Sequence, residues 1–284
     1  MGNAKILVCC HKKDLCVTDS PYFPIHVGKA LSNMELNIPG DNTGDNISRR
    51  NDRYCELTGL YWAWKNLKNT DIIGLCHYRR YFDFHNQQKK GFPIIEYPSS
   101  DFENFDYSVP NNILTQLKND EIIVSKPYIG MPVILDYCVN HVSDDIKILK
   151  EVIRTSCDER YYIAFKKVML QNKIRFANMF VMRWERFDAY CSWLFKILFE
   201  VENRINIENY SPYQRRIFGF MSERLLNVYI LAEKMTMKEF PIISFNDNPY
   251  FDYDTISYRR YWLRCLKFNL ASKLLSNSIK SIIE

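Results

Sequence analysis

The stretch Asp71-Ile-Ile-Gly-Leu-Cys-His77-Tyr78-Arg79-Arg80-Tyr81-Phe82 constrains the fold more than any other part of the chain. Ile72 to Cys76 is a short apolar run bounded by Asn69-Thr70-Asp71, the pattern of a strand buried on both faces of a parallel sheet. It predicts an α/β fold. An imidazole, two guanidiniums and three aromatic rings follow directly at its end. In open α/β sheets, ligands bind outside the carboxyl ends of the strands. Paired Arg forks suit a diphosphate, because each is planar and cannot lose its charge. His77, Arg79 and Arg80 are therefore expected to grip a diphosphate at the sheet edge. The competing reading puts both arginines on a solvated loop and His77 in the core.

Composition narrows the function classes. The 284 residues suffice for one large domain, or one domain with an appendage. The net charge of +5 favours anionic partners, but the Lys and Arg are too dispersed for a nucleic-acid-binding surface. Nine cysteines, scattered and without a Cys-x-x-Cys pair, argue for reduced thiols in the cytoplasm and against a zinc site. Lys5 to Cys10 is too short for a signal-peptide core and reads as a first strand. No apolar run has the length of a membrane-spanning helix.

Other stretches add polar groups to this frame. The loop after the first strand begins at His11, which is expected near a base or ribose; a solvated turn has the same composition. Gly40-Asp41-Asn42-Thr43-Gly44-Asp45-Asn46 repeats Gly-Asp-Asn, a turn-forming sequence. It either presents Asp41, Asn42, Asp45 and Asn46 to a hydroxyl-rich ligand or forms a double turn leading into a helix. That helix, capped by Asn51 or Asp52, carries Leu57, Leu60, Tyr61, Trp64 and Leu67 at helical spacing, with Glu56 and Lys65 on its polar side. Residues 84–119 are loop-like. Helices capped by Ser143 and Asp158 follow, with His141 beside the first as a structural histidine. Phe176 to Met182 reads as a strand, and Phe187, Tyr190, Cys191, Leu194, Leu198 and Val201 mark one face of a long helix. Glu223, near an expected helix start after Gly219, is a helix cap or a positioned general base.

From Tyr258 onward, Arg259, Arg260, Arg264, Lys267 and Lys273 alternate with Trp262, Leu263, Leu266, Leu270 and Leu274. This is a basic amphipathic helix suited to an anionic membrane interface, with packing on the protein's own core as the alternative. The expected division is residues 1–250 as the main domain and 251–284 as this tail.

Four stretches in order carry a family resemblance: Gly40 to Ser48, Tyr54 to Asn66, Ile73 to Phe82, and Asn178-Met-Phe-Val-Met together with Phe218-Gly-Phe-Met-Ser-Glu-Arg-Leu-Leu-Asn. They resemble a bacterial glycosyltransferase family of capsular-polysaccharide, exopolysaccharide and O-antigen clusters. That family was long catalogued as a domain of unknown function, and it includes galactofuranosyltransferases. The resemblance runs from about Lys5 to about Phe245. It implies a GT-A-like, Rossmann-like α/β fold with a mixed, mostly parallel sheet flanked by helices. A UDP-sugar donor and a lipid-linked glycan acceptor are implied as well, handled by a peripheral enzyme on the inner face of the cytoplasmic membrane. Asn178 is then expected at the nucleotide or sugar and Glu223 as the base, with His77 assisting catalysis. GT-A enzymes usually end the corresponding strand in Asp-x-Asp, which holds a divalent metal; here His77-Tyr78-Arg79 stands in that place. A metal prefers oxygen ligands, so cationic side chains are expected to do its work, with Asp83 as a spare carboxylate. The competing function is a non-catalytic saccharide- or nucleotide-binding subunit of a membrane assembly complex.

Overall fold

The computed structural model describes residues 3–88, 92–247 and 258–283. The chain forms two compact units, one of residues 1–126, 178–191 and 236–255, the other of residues 127–177, 192–235 and 256–284. The expected boundary at residue 250 lies outside the described residues.

In the first unit the chain makes β1 (Ala4–Cys10), β2 (Tyr22–His26), α1 (Asn51–Tyr54), α2 (Leu57–Asn66), β3 (Ile72–His77), β4 (Arg80–Phe82), β5 (Ile94–Tyr97), α3 (Asn111–Thr115) and β6 (Glu121–Ser125). The second unit then contributes β7 (Tyr128–Ile129), α4 (Val133–Asn140), α5 (Ser143–Ser156), α6 (Glu159–Leu170) and β8 (Lys173–Ile174). After β9 (Phe180–Arg183) in the first unit comes α7 (Trp184–Glu202), which belongs to the first unit up to Cys191 and to the second thereafter. The second unit also holds α8 (Ile217–Ala232) and α9 (Tyr258–Ile283), and the first is completed by β10 (Thr236–Phe240) and β11 (Ile242–Phe245).

The main sheet has nine strands in the order β10-β6-β9-β3-β4-β11-β5, with β1 also paired to β3 and β2 to β1. Only β4 and β9 run against the others, so the sheet is mixed and mostly parallel, as the family resemblance implied; β3 itself is parallel to β1 and antiparallel to β4 and β9. Ile73, Leu75 and Cys76 of β3 are fully buried, as are Ile6, Leu7 and Val8 of β1. Pro24 sits in β2, whose only strand neighbour among the described residues is β1, an edge position where its missing N–H costs least. On α7 the predicted face, Phe187 through Val201, is buried throughout.

Three local expectations are corrected. The helix expected to start at Asn51 or Asp52 is two helices, because Cys55 between them adopts φ 51°. Asn51 ties this break rather than capping outward: its Nδ2 donates to Cys55 O at 2.7 Å and to Thr58 Oγ1 at 3.0 Å. Residues 84–119 are not all loop, since they contain β5 and α3; Phe102 and Tyr107 meet Tyr81 at ring distances of 6.0 and 4.9 Å, and apolar contacts supply the order that composition hid. Ser143 is the first residue of α5 rather than its cap, whereas Asp158 does cap α6, its carboxylate accepting from the Arg160 N–H at 3.0 Å.

In the second unit, Arg224 on α8 is almost wholly buried, with Nη2 2.8 Å from Asp136 and Nη1 3.0 Å from Glu223. Its guanidinium lies over Tyr137 and Phe176. His141 stacks on Phe220 at 4.0 Å; burial, with the nearby Arg224 charge, lowers its pKa to about 4. It is neutral at pH 7, in keeping with a structural role. Among the described residues no helix is long and apolar enough to cross a membrane.

Gly74 is required by the close approach of β3 and β9. A Cβ there would lie 2.9 Å from the Phe180 carbonyl oxygen and 2.9 Å from Val181 Cγ2, and the first of these is backbone that cannot step aside. Gly74→Ala is expected to cost about 1–3 kcal/mol, the usual range for overpacking, read as a lowered midpoint in urea unfolding; an unchanged midpoint would show that the strands separate freely.

Candidate functional site

The residues after β1 and β3 meet at one edge of the sheet. β1 and β3 are parallel with Cys9 opposite His77, so the loop from His11 and the turn from Tyr78 leave side by side. β3 and β4 form a tight hairpin in which His77 pairs with Arg80 and Tyr78-Arg79 is the turn. The rings of His11 and Tyr78 make an edge contact at 5.3 Å, and Lys12 Nζ lies 5.9 Å from the Tyr78 ring centre. His11, His77, Arg79 and Arg80 are thus brought together, although they derive from two segments of the chain.

Their electrostatics are less open than a row of free cations. Arg79 Nε donates to Asp14 Oδ1 at 3.0 Å, and its Nη2 lies 2.9 Å from Asp14 Oδ2 and 3.0 Å from Asp247 Oδ2. Burial alone would raise the Asp14 pKa, but hydrogen bonds from Arg79, the Leu15 N–H and Lys12 outweigh it and hold the carboxyl below its ordinary range. The same pairing, with Asp247 adding to it, raises the Arg79 pKa. Arg79 is therefore a positioned, charge-compensated group. Arg80 is exposed at the start of β4 and has no ion pair among the described residues.

A second pair of polar groups borders this edge. Asn178 is the second residue before Phe180, which pairs with Leu75 of β3, and its side chain is buried. Its Nδ2 donates to Glu56 Oε1 at 2.6 Å. Glu56 begins α2, and its carbonyl faces the Cys9 thiol at the end of β1, 3.8 Å away. Both partners lie next to unusual backbone: Cys55 has φ 51°, Ala177 has φ 71° and Asn178 itself has φ 53°. Left-handed non-glycine residues are costly and cluster at functional sites. The sequence placed Glu56 only on the polar side of a helix, and no local signal marks its pairing with a residue 122 positions away.

The Gly-Asp-Asn loop mostly serves the scaffold. Asp41 is fully buried; its carboxylate accepts from the Gly28 N–H at 2.8 Å, the Lys29 N–H at 3.1 Å and the Ser48 hydroxyl. Asp45 accepts from the Tyr61 hydroxyl at 3.1 Å, and Asn46 bridges Gly44 O and the Ser48 N–H. Thr43 and Asp45 thus engage Trp62, Tyr61 and Asn66 along α2, whereas Glu56 stands at its first turn. Asn42 is exposed on the same loop. The loop begins at the carboxyl end of β2, where Gly40 pairs with His26, and its Thr43–Asp45 part lies along the far half of α2.

Glu223 belongs to the second unit. It is the seventh residue of α8, not part of a first turn, so the helix-start argument for its charge fails. Its Oε1 accepts from the Ala177 N–H at 2.9 Å and its Oε2 from Arg224 at 3.0 Å.

The carboxylates closest to the hairpin do not fit a divalent ion as arranged. Asp83 is buried, with one oxygen on the Gln87 N–H and the other on the Gln88 N–H, each at 2.9 Å. Asp14 and Asp247 face the Arg79 guanidinium, which occupies the place a cation would take between them.

A family model described as a domain of unknown function, DUF4422, matches residues 5–234. The chain belongs to that family. Among solved structures it is similar to the apo structure of WbbM, a bifunctional glycosyltransferase, with 30% identity and a TM-score of 0.77. The likeness covers 88% of this chain and 48% of WbbM, so the chain spans about half the length of that relative. No curated protein sequence matches the chain. The match agrees with a GT-A-like glycosyltransferase fold, as the four sequence stretches implied.

The Asp14–Arg79 pair makes a direct prediction. Arg79→Ala strands the Asp14 carboxylate, whose side chain is 9% exposed, and is expected to cost on the order of 1–3 kcal/mol in thermal unfolding. Adding Asp14→Asn should recover part of that loss; strictly additive losses would show that the two groups are not coupled.

Proposed function

We propose that the chain transfers a glycosyl group from a UDP-sugar to a lipid-linked glycan, in the assembly of a capsule, exopolysaccharide or O-antigen. Galactofuranose and galactose are the proposed sugars. The work is placed on the cytoplasmic side, at the inner face of the membrane. The observation that carries this reading is the 30% identity over 88% of the chain to half of a bifunctional glycosyltransferase. The cationic and aromatic groups at the carboxyl edge of β1 and β3 support it, because that edge is where α/β sheets take their ligands.

In this reading His77, Arg79 and Arg80 hold the donor diphosphate, and no metal is required. Arg80 brings an exposed charge, while Arg79 exchanges part of its carboxylate pairing for phosphate oxygens. Preorganised positive groups lower the barrier by stabilising the charge that develops on the leaving diphosphate. His11 and Asn178 contact the nucleotide or sugar, and Asn42 is the member of the Gly-Asp-Asn loop with an exposed side chain.

A general base needs a free lone pair within reach of the acceptor hydroxyl. Glu223 is the proposed base on the family motif, but each of its oxygens already accepts a hydrogen bond. Glu56, whose Oε1 accepts from Asn178, is the second candidate.

Release of UDP from a panel of UDP-sugars, with a lipid-linked acceptor and mass analysis of the product, tests the proposal. Turnover is expected to survive EDTA; loss in EDTA with recovery on Mn²⁺ or Mg²⁺ would reject the metal-free reading. Whichever of Glu223→Gln and Glu56→Gln abolishes turnover while keeping UDP binding identifies the base. Thermal stabilisation by UDP without any release from any donor would favour the non-catalytic binding subunit instead.

A further inference from the structure

Helix α9 has two sides that differ in what they bury. Segment Tyr258–Ile283 holds six Lys or Arg and no Asp or Glu. Cys265 is 2% exposed, and Asn269 Oδ1 accepts from Asn172 Nδ2 at 2.9 Å. Arg264 Nη2 donates to the Tyr128 hydroxyl at 2.8 Å. Within the second unit α9 packs against α6 and β7 through this side. At 3.6 residues per turn, Cys265, Asn269 and Ser272 share one face. Leu263, Leu266, Leu270 and Leu274 share the opposite one, and they are 50%, 55%, 53% and 85% exposed; Trp262, on its border, is 49% exposed.

The helix therefore docks through the Cys265 thiol, the Asn269 amide and the Arg264–Tyr128 hydrogen bond, and leaves its leucines exposed. That is the reverse of a surface helix stabilised by its apolar stripe. A contiguous apolar row of this kind marks an interaction surface. The charges decide which partner it fits. Arg259, Arg260, Lys267 and Lys273 are all exposed and border or interrupt the leucine row. A cleft of about 540 Å³ along one flank is lined by Arg260, Leu263, Arg264, Lys267, Phe268 and Ala271, pairing cations with apolar groups. Six positive charges on a segment that holds no Asp or Glu of its own would repel a second copy of the same helix. They complement a lipid surface with anionic headgroups, which offers negative charge at the depth of the cations and hydrocarbon at the depth of the leucines.

We propose that α9 stays docked on its unit through the Cys265 side and lies in the interface of an anionic bilayer, with the Leu263-Leu266-Leu270-Leu274 row inserted. The proposal rests on the membrane location read above and names the surface responsible. It is tested without donor or acceptor, so its failure leaves the glycosyl-transfer reading untouched, and the converse holds.

The test is co-sedimentation of the full chain with phosphatidylcholine vesicles, with and without phosphatidylglycerol. Binding is expected only with the anionic lipid, and high salt should weaken it. Arg260→Gln should lower partitioning roughly fivefold, the effect of one cation near such a surface. Leu263→Ser/Leu266→Ser/Leu270→Ser should abolish binding with an unchanged melting temperature, since these side chains are exposed. Alkylation read by peptide mass should leave Cys265 unlabelled on vesicles as in solution. Equal binding to both vesicle types, or none, overturns the proposal. So does a concentration-dependent dimer that the leucine substitutions dissolve, which would make the row a self-association face. Labelling of Cys265 on vesicles would show that the helix leaves its unit, and would overturn the docked arrangement.

Discussion

The first unit depends on a strand that has no room for polarity until it ends. β3 has β1 on one side and β9 on the other, and both of its faces are buried. An unpaired polar side chain anywhere from Ile72 to Cys76 would carry the full cost of desolvation. Gly74 is part of the same constraint, since the backbone of β9 occupies the space a side chain would need. Charge is therefore confined to the position where the strand leaves the sheet. His77, Tyr78 and Arg79 emerge there together, alongside His11 from the parallel neighbour.

What gathers at that edge is balanced rather than simply positive. Asp14 and Asp247 hold the Arg79 fork in a fixed orientation, and a fork already oriented loses less entropy on meeting a planar anion than a waving side chain does. The same pairing cancels charge, and Lys12 is itself 3.2 Å from Asp14, so in the proposed reading the attraction for a diphosphate falls mainly to Arg80. Glu56 and Asn178 form a separate carboxylate–amide pair at the same edge. Cationic and carboxylate functions are thereby kept on different elements, as a transfer reaction with a negative leaving group and a proton to remove requires.

The second unit handles its charges differently. Arg224 is buried between Asp136 and Glu223 and covered by Tyr137 and Phe176, an arrangement in which removing Arg224 leaves two carboxylates without their counter-charge. Glu223 is held within it. α9 shows the opposite behaviour, with cations and leucines both outward and only a modest, partly polar contact behind them.

The sequence by itself determined the features that depend on near neighbours. The β3 run, the inward face of α7, the Asp158 cap and the amphipathic character of α9 are all periodicities or short motifs, and each was found where it was expected. The structure also brings His11 to the sheet edge where His77, Arg79 and Arg80 lie, because strand ends in a parallel pair are set by the order of the strands. Only the tertiary structure decided which groups pair. Arg79 meets a carboxylate 65 positions away, Asn178 meets one 122 positions away, and Thr43 of the Gly-Asp-Asn loop meets Trp62 of α2. It also decided which side of α9 faces its own unit. Such choices depend on the geometry of elements distant in sequence, and the identity of a residue carries no record of the partner that packing brings to it.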